Sequence, residues 1–264
     1  MAFQQPDSIR YFTFDSLEEH GITHAVFTRQ GGVSPAPWSS LNVGGTVGDD
    51  PERVLENRRR SFQALGKSLE SMYDVWQVHG IEVVCTEAPR PADAAHLRAD
   101  AMLTAQPGVT LYMRFADCVP IFLYDPRRRV VGMVHAGWQG TVNRVASKTV
   151  QVMQARYNSS PGDILAGIGP SIGPHHYPVG PEVVQQVRQA FGADGGDLLG
   201  VEHRGNGRYG VELDLWRANR LILEQVGVSQ IETAEICTAC HLEDWYSHRG
   251  EGGRTGRFGA LIAL

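Results

Sequence analysis

The stretch VTLYMRFADCVPIFLYDPRRRVVGMVHAGWQG (109–140) decides the fold class. VTLYMRF (109–115), VPIFLYD (119–125) and RVVGMVH (129–135) are short, almost continuously apolar runs rich in β-branched and aromatic residues. Runs of this length and composition read as strands, and continuous apolarity marks strands buried on both faces. Arginines 127 to 129 read most simply as a solvated turn, and the glycines of AGWQG as a turn into a helix.

Outward from this stretch, further strands are expected at HAVFT (24–28), VWQVHGIEVVC (75–85), ILAGIG (164–169), TAEICT (233–238) and FGALIAL (258–264). Helices are fewer. One is expected from Pro51 to Leu65, with proline in its first turn and Gly66 as its stop. A second follows Gly140, with Val142, Val145, Ala146, Thr149 and Met153 on one face, and a third runs from Pro181 to Phe191 and ends at Gly192. The fourth begins at Asp214, a good N-cap, and ends at Gly227. More strands than helices, irregularly mixed, point to a layered α/β or α+β architecture rather than a regular doubly wound sheet. No repeat, low-complexity tract or long linker divides the 264 residues, so residues 1–264 are expected to form a single catalytic domain.

With 42% hydrophobic and 20% charged residues, the chain suits a globular protein with a full core. A formal charge of −5, with no basic stripe or aromatic-basic interleaving, argues against nucleic-acid binding. The most apolar stretch is broken by Arg114 and Asp117, short of the roughly 18 apolar residues of a membrane span. The first residues, MAFQQPDSIRYFTF, lack the pattern of an export signal, and a cytoplasmic location is expected. Four unevenly spaced cysteines make no disulfide framework. The same reasoning disposes of CTACH (237–241), which matches the C-x-x-C-H haem-attachment pattern but stands in a chain with no sign of export.

The chemistry sits at strand ends. His79 follows a strand-like run in QVHG, Cys118 another in FADC, and His135 ends a third in MVHAGWQG. Two histidines and a cysteine suit a catalytic zinc site, which takes three protein ligands and keeps one position open. Spacing alone leaves a rival: Cys118 as a thiolate nucleophile with His135 as base and Asp117 or Asp100 beside it, a hydrolase or amidase without metal. A nucleotide loop is excluded, because GIGPSIG (167–173) misses G-x-G-x-x-G and runs into Pro174, and no G-x-x-x-x-G-K-[ST] occurs.

TRQGGVS (28–34), SLNVG (40–44), GDDPERVLENR (48–58), QVHG (77–80), ADAMLT (99–104), FADCVPI (115–121), VHAGWQGT (134–141), GIGPSIGPHHYPVG (167–180), Cys237-Thr238 and SHRGEGGRTGRFG (247–259) follow one another in that order. In this order the motifs closely resemble the multicopper polyphenol oxidoreductase or laccase family of the YfiH type, whose members are also described as purine nucleoside phosphorylases. The resemblance implies an α+β (mixed α/β) fold, a layered α/β/β/α sandwich of two mixed sheets packed face to face with helices outside. It implies zinc, with copper less expected, held by His79, Cys118 and His135. It also implies phosphorolysis of adenosine, inosine, guanosine or methylthioadenosine to base and sugar 1-phosphate, with deamination of adenosine besides. Purine nucleosides and phosphate are then the partners, and a monomer or small homo-oligomer is expected.

Arg29 and Arg58, with Asn42 nearby in the family pattern, are the expected phosphate residues, since a guanidinium fork gives paired hydrogen bonds to phosphate oxygens. Arg249, Arg254 and Arg257 form a second set beside glycines. Asp117 and Asp100 are candidates to orient ligand histidines or act as acid and base, and Trp138 to stack on a purine or pack in the core. The chain departs from the usual family pattern at Gln139, where HAGWRG is common, at Pro178, where glutamate is common, and at SHRGEGG, in place of a SYRR-type run. Other readings of the same residues are a peptidoglycan-precursor editing hydrolase at the Cys/His site, a copper-dependent phenol oxidase, and a metal-dependent partner protein without activity. The absence of any H-x-H pair speaks against the oxidase.

Overall fold

The strands assort into two six-stranded sheets and one three-stranded sheet in a computed structural model that describes residues 1–5, 7–205 and 208–264, with only the backbone for 203–205 and 208–209. The first sheet has the order β1 (Ala2–Gln4), β2 (Tyr11–Thr13), β3 (Thr23–Phe27), β15 (Phe258–Ala263), β7 (Thr110–Phe115), β4 (Met72–Tyr73). The second has the order β14 (Gln230–Thr233), β10 (Leu165–Ile168), β8 (Val119–Asp125), β9 (Val130–Ala136), β6 (Ala101–Thr104), β5 (Val83–Cys85). Both are mixed: β4 pairs parallel with β7, and β14 and β5 pair parallel with β10 and β6, among otherwise antiparallel neighbours. A small sheet of β11 (Pro178–Val179), β13 (Arg208–Leu213) and β12 (Leu199–Gly205) stands beside them.

The alternation of side chains along β8 shows how the layers stack. Val119, Ile121 and Leu123 join one core with Val145, Val150 and Ile222, contributed by helices α4 (Val145–Tyr157) and α6 (Leu215–Gln225). Phe122 and Tyr124 face the other way, into a second core with Leu111, Met113 and Phe258 from the first sheet. A third core lies on the outer face of that sheet, where Ala25, Phe27 and Tyr112 meet Phe62 of α2 (Pro51–Gln63). Three cores between four layers make the expected α/β/β/α sandwich. The remaining helices are α1 (Asp15–Glu19), α3 (Trp138–Val142) and α5 (Pro181–Phe191).

Several expectations shift in detail. The run 75–85 is not one strand: only Val83–Cys85 pairs in the second sheet, and a single bridge joins Trp76 to Arg98. The cause is local, because His79 has φ +60° and the amides of Val78, His79 and Gly80 all turn onto the Asp100 carboxylate. The strand expected at 233–238 lies earlier, at Gln230–Thr233; Glu235 at φ +52° turns the chain away after it, and only an isolated bridge from Cys237 to Ser171 follows. The helix after Gly140 is two helices, broken where Arg144 adopts a left-handed conformation. The helix at 181–191 is as expected, and Asp214 caps α6 by accepting from the Arg217 amide. Among the described residues no helix is long and apolar enough to cross a membrane.

Candidate active site

Strand register brings the chemistry together. β8 and β9 form an antiparallel pair in which Val119 lies opposite Ala136 and Asp125 opposite Val130. Asp125 fixes the turn between them by accepting from the amides of Arg127 and Arg128. The residue before β8, Cys118, therefore stands beside the end of β9, which carries His135. β6 pairs antiparallel with β9, Ala101 opposite Val134, so Asp100 arrives at the same end. β5 runs parallel to β6, so the loop preceding it delivers His79 there too.

Asp100 organises the group. Its fully buried carboxylate accepts from Nδ1 of His135 at 2.8 Å and from the amides of Val78 (3.1 Å), His79 (2.9 Å) and Gly80 (2.6 Å). One carboxylate thus sets the ring of one histidine and the backbone of the other. With Nδ1 committed to Asp100, Nε2 of His135 is left to bind something else. Burial works against the charge of Asp100, but the bond to His135 and the amides hold its carboxyl below the ordinary range.

His79, Cys118 and His135 each offer a ligand atom, all within 4.8 Å of one another. His79 Nε2 and Cys118 Sγ lie 3.9 Å apart, against about 3.6 Å for the ligands of a tetrahedral zinc with ordinary Zn–S and Zn–N bonds. His135 is buried, Cys118 half-buried and His79 exposed, so the group opens in one direction. Gly137 is needed beside it: a Cβ there would lie 2.9 Å from Cys118 Sγ and 3.1 Å from His79 Cδ2. Both His79 and Asp117 have positive φ, +60° and +85°, a strained backbone of the kind that collects at functional sites.

Electrostatics favours the deprotonated sulfur. Burial opposes ionisation of Cys118, but the charge of His135 and hydrogen bonds from both histidines outweigh it and bring the thiol down to about 6. Burial likewise opposes protonation of His135, but the Cys118 thiolate and Asp100 raise it to about 9. Metal-free protein should therefore react with iodoacetamide at Cys118 with a pH midpoint near 6, while Cys240, whose thiol is pushed upward by burial and by Cys237, stays slow at neutral pH. Peptide mass spectrometry after alkylation across pH 5 to 9 reads both; a Cys118 midpoint near the ordinary thiol value, roughly 8.5, would refute the ion pair.

The group opens into a cavity of about 690 Å³, lined also by Gly45, Thr46, Arg58, Trp76, Trp138, Tyr177, Arg249 and Arg257. This lies within the ordinary range for a small-molecule site. Arg58 donates from Nε and Nη2 to the Val43 carbonyl, and Arg257 from Nη1 to the carbonyls of Thr255 and Gly256. Neither is paired with a carboxylate among the described residues. The two approach the same loop: a Cβ on Gly44 would lie 2.7 Å from Arg257 Cγ, and one on Gly45 3.9 Å from Arg58 Nη2. Arg114, also in the wall, is instead bound to Asp74.

Not every residue singled out in the sequence reaches this cavity. Arg29 is absent from its wall; it donates to the carbonyls of Ser39 and Leu242, pairs with Glu251 at 3.0 Å and stacks on Tyr246. Asn42 is buried behind the wall, donating to Asp49 and accepting from the amides of Gly44 and Arg257. Asp117 lines the cavity without touching either histidine; it accepts from Thr238 Oγ1 and the Arg249 amide, both at 2.7 Å. Trp138 opens α3, half-buried, with one edge against the core and one on the cavity. Thr46 lies in no run or motif of the sequence, while Trp76 and Tyr177 fall inside the strand-like run 75–85 and the motif 167–180 without a pattern that marks them as site residues.

Known proteins share both the sequence and the fold of this chain. A purine nucleoside phosphorylase of Deinococcus radiodurans is 40% identical over 243 residues, 92% of this chain and 89% of that protein. The purine nucleoside phosphorylase YlmD of Geobacillus stearothermophilus is 38% identical over 250 residues, 92% of this chain and 90% of that protein. The crystal structure of that organism's YlmD superposes with a TM-score of 0.90 at 35% identity, covering 99% of this chain and 98% of the other. A Bacillus licheniformis hypothetical protein YfiH superposes with a TM-score of 0.89 at 30% identity, again covering 99% and 98%. Residues 23–264 match the family described as multi-copper polyphenol oxidoreductase laccase, and to that family the chain belongs.

Proposed function

We propose that the protein is a zinc-dependent purine nucleoside phosphorylase, converting adenosine, inosine, guanosine or methylthioadenosine and phosphate to base and sugar 1-phosphate, with adenosine deaminase activity. The relatives named purine nucleoside phosphorylase support the reaction class. The observation that carries it is one cavity holding a three-ligand His/Cys/His group and two half-buried arginines without carboxylate partners. A guanidinium in a cavity wall with no carboxylate in ion-pair contact favours an anion, and two of them beside one loop suit phosphate.

Zinc held by His79, Cys118 and Nε2 of His135 would supply Lewis-acid polarisation and leave one coordination position for substrate or water. The remaining work falls to the chain. Arg58 and Arg257 hold phosphate against the sugar carbon, where positive charge grows as the glycosidic bond breaks. Trp138 and Tyr177 offer aromatic faces to the purine. Asp100 keeps His135 oriented, and Asp117 ties the Arg249 loop to Cys118. Asn42 serves the phosphate side indirectly, by accepting from the amides of Gly44 and Arg257, and Arg29 by holding Glu251, which accepts from Thr255 Oγ1 in the loop that leads to Arg257. A cytoplasmic location accords with four free thiols.

Chromatography of adenosine and inosine reactions, with and without phosphate and before and after chelation, tests this reading. Phosphate-dependent release of adenine and hypoxanthine is expected, with inosine appearing from adenosine and both activities falling on chelation. No base and no inosine under any condition would overturn it.

A second reading has its own observation: Cys118, His135 and Asp100 also form a thiolate, an imidazolium and an orienting carboxylate. That arrangement suits a peptidoglycan-precursor editing hydrolase with Cys118 as nucleophile. Phosphate-independent, chelator-resistant amine release from such a precursor would favour it. A copper-dependent phenol oxidase, which the family description names, would show instead as oxygen uptake with a phenol after copper loading.

A further inference from the structure

A second cluster of ligating side chains lies outside the cavity wall. His175 and His176 close the short 3-10 turn Pro174–His176, and Cys240 ends the turn that begins at Cys237. Their ligand atoms all lie within 4.8 Å of one another, and His175 Nε2 is 3.1 Å from Cys240 Sγ. The two imidazole rings are 4.8 Å apart between centroids. All three side chains are exposed, so a cation can reach them and keep part of its water.

The two turns are far apart in sequence but held in register by the backbone. Ser171 donates to the Ile236 carbonyl and accepts from the Thr238 amide, and the Gly173 amide donates to Cys237 Sγ at 3.2 Å. Gly173 is required for this fit: a Cβ there would lie 2.7 Å from His175 Cε1, 3.0 Å from the Trp216 ring and 3.2 Å from Cys237 Cβ. The ligands are therefore presented by a frame that exists before any cation arrives, and two imidazoles with one thiolate suit a borderline-soft divalent ion of the zinc class.

We propose that His175, His176 and Cys240 form a second, peripheral site for a zinc-class divalent cation, clipping the 174–177 turn to the 237–240 turn. The clip bears on the cavity at two points. Tyr177, next to His176, lines its wall, and Thr238 holds Asp117 beside Cys118. The site does not depend on the nucleoside reading, because its ligands are separate from His79, Cys118 and His135.

Titration of the metal-free, reduced full-length chain with cobalt(II), followed by visible absorption and by metal analysis after gel filtration, tests it. Two cobalt ions per chain are expected for the wild type. Cys118→Ala should retain one, with a thiolate-to-cobalt charge-transfer band that His175→Ala/His176→Ala abolishes in the same background. In the Cys118→Ala background Cys240→Ser should keep a weakened site and lose the band, while the exposed positions leave circular dichroism and melting unchanged. A reduced Cys118→Ala chain that takes up no cobalt overturns the proposal. So does a second ion that survives unchanged, band included, in the His175→Ala/His176→Ala background.

Discussion

Replacing Cys118 with alanine should remove the metal held with His79 and His135 and reduce nucleoside cleavage by roughly 10³-fold while leaving the fold intact. The magnitude follows from the several kcal/mol of charge stabilisation that a Lewis-acidic ion provides at a reacting centre, since about 1.4 kcal/mol is a factor of ten in rate. The fold should survive because Cys118 lies just before β8, at the margin of the core between the sheets and only half-buried, with its Sγ turned to His79 and His135. Two remaining histidines would hold zinc poorly. Metal content, circular dichroism and turnover of purified Cys118→Ala are the measurements. Normal turnover with full metal content would show that the sulfur is no ligand. Full metal content with lost turnover would instead favour Cys118 as a nucleophile. Cys118→Ser separates the two further: a serine oxygen is a poor zinc ligand, yet it is a common nucleophile beside a histidine.

Much of this site was legible because its cysteine and buried histidine stand at the ends of runs that read as strands. β7, β8 and β9 are almost continuously apolar, so Cys118 and His135 could be placed at strand ends before any geometry was known. His79 was legible as a residue but not as a conformation: the run around it looks like a strand, and only the Asp100 carboxylate, distant in sequence, bends it. β6 is four residues long and passed as part of a motif. The small third sheet was missed because LGVEHRG and RYGVEL are broken by glycine and charge, with no period to read. The arginines illustrate a further limit. Arg29 and Arg58 have equal claims in the sequence, and Arg257 a weaker one. What separates them is pairing: Glu251 sits 3.0 Å from Arg29, whereas Arg58 and Arg257 have only carbonyl partners and face the cavity. Charge compensation across two hundred residues leaves no local trace.

Asp100→Asn is expected to be the most damaging substitution among residues that would not touch the metal. Asparagine keeps the shape but turns one acceptor into a donor, where three amide N–H groups and His135 Nδ1 all donate to the carboxylate. At least one buried donor then faces another donor, and the charge that orients His135 is gone. Loss of one partner of a buried, hydrogen-bonded charge pair costs about 3 kcal/mol, or a fall of ~6–12 °C in Tm for a chain near this size. Metal affinity should drop ~10–100-fold, as when a residue that orients a ligand histidine is removed. The pH dependence gives the assignment a signature that simple misfolding lacks. Because the folded structure holds the Asp100 carboxyl below its ordinary value, its stabilisation is complete above about pH 4 and is lost as pH falls through the lower folded-state value. Wild type and Asp100→Asn should therefore differ most at neutral pH and converge in acid. Thermal melts of both metal-free proteins from pH 7 down to pH 3, with zinc affinity measured by competition at pH 7, read the two effects separately. A difference in Tm that stays constant with pH would place the loss in packing rather than in the carboxylate charge. Unchanged zinc affinity would show that the loop bearing His79 and the ring of His135 hold their positions without Asp100.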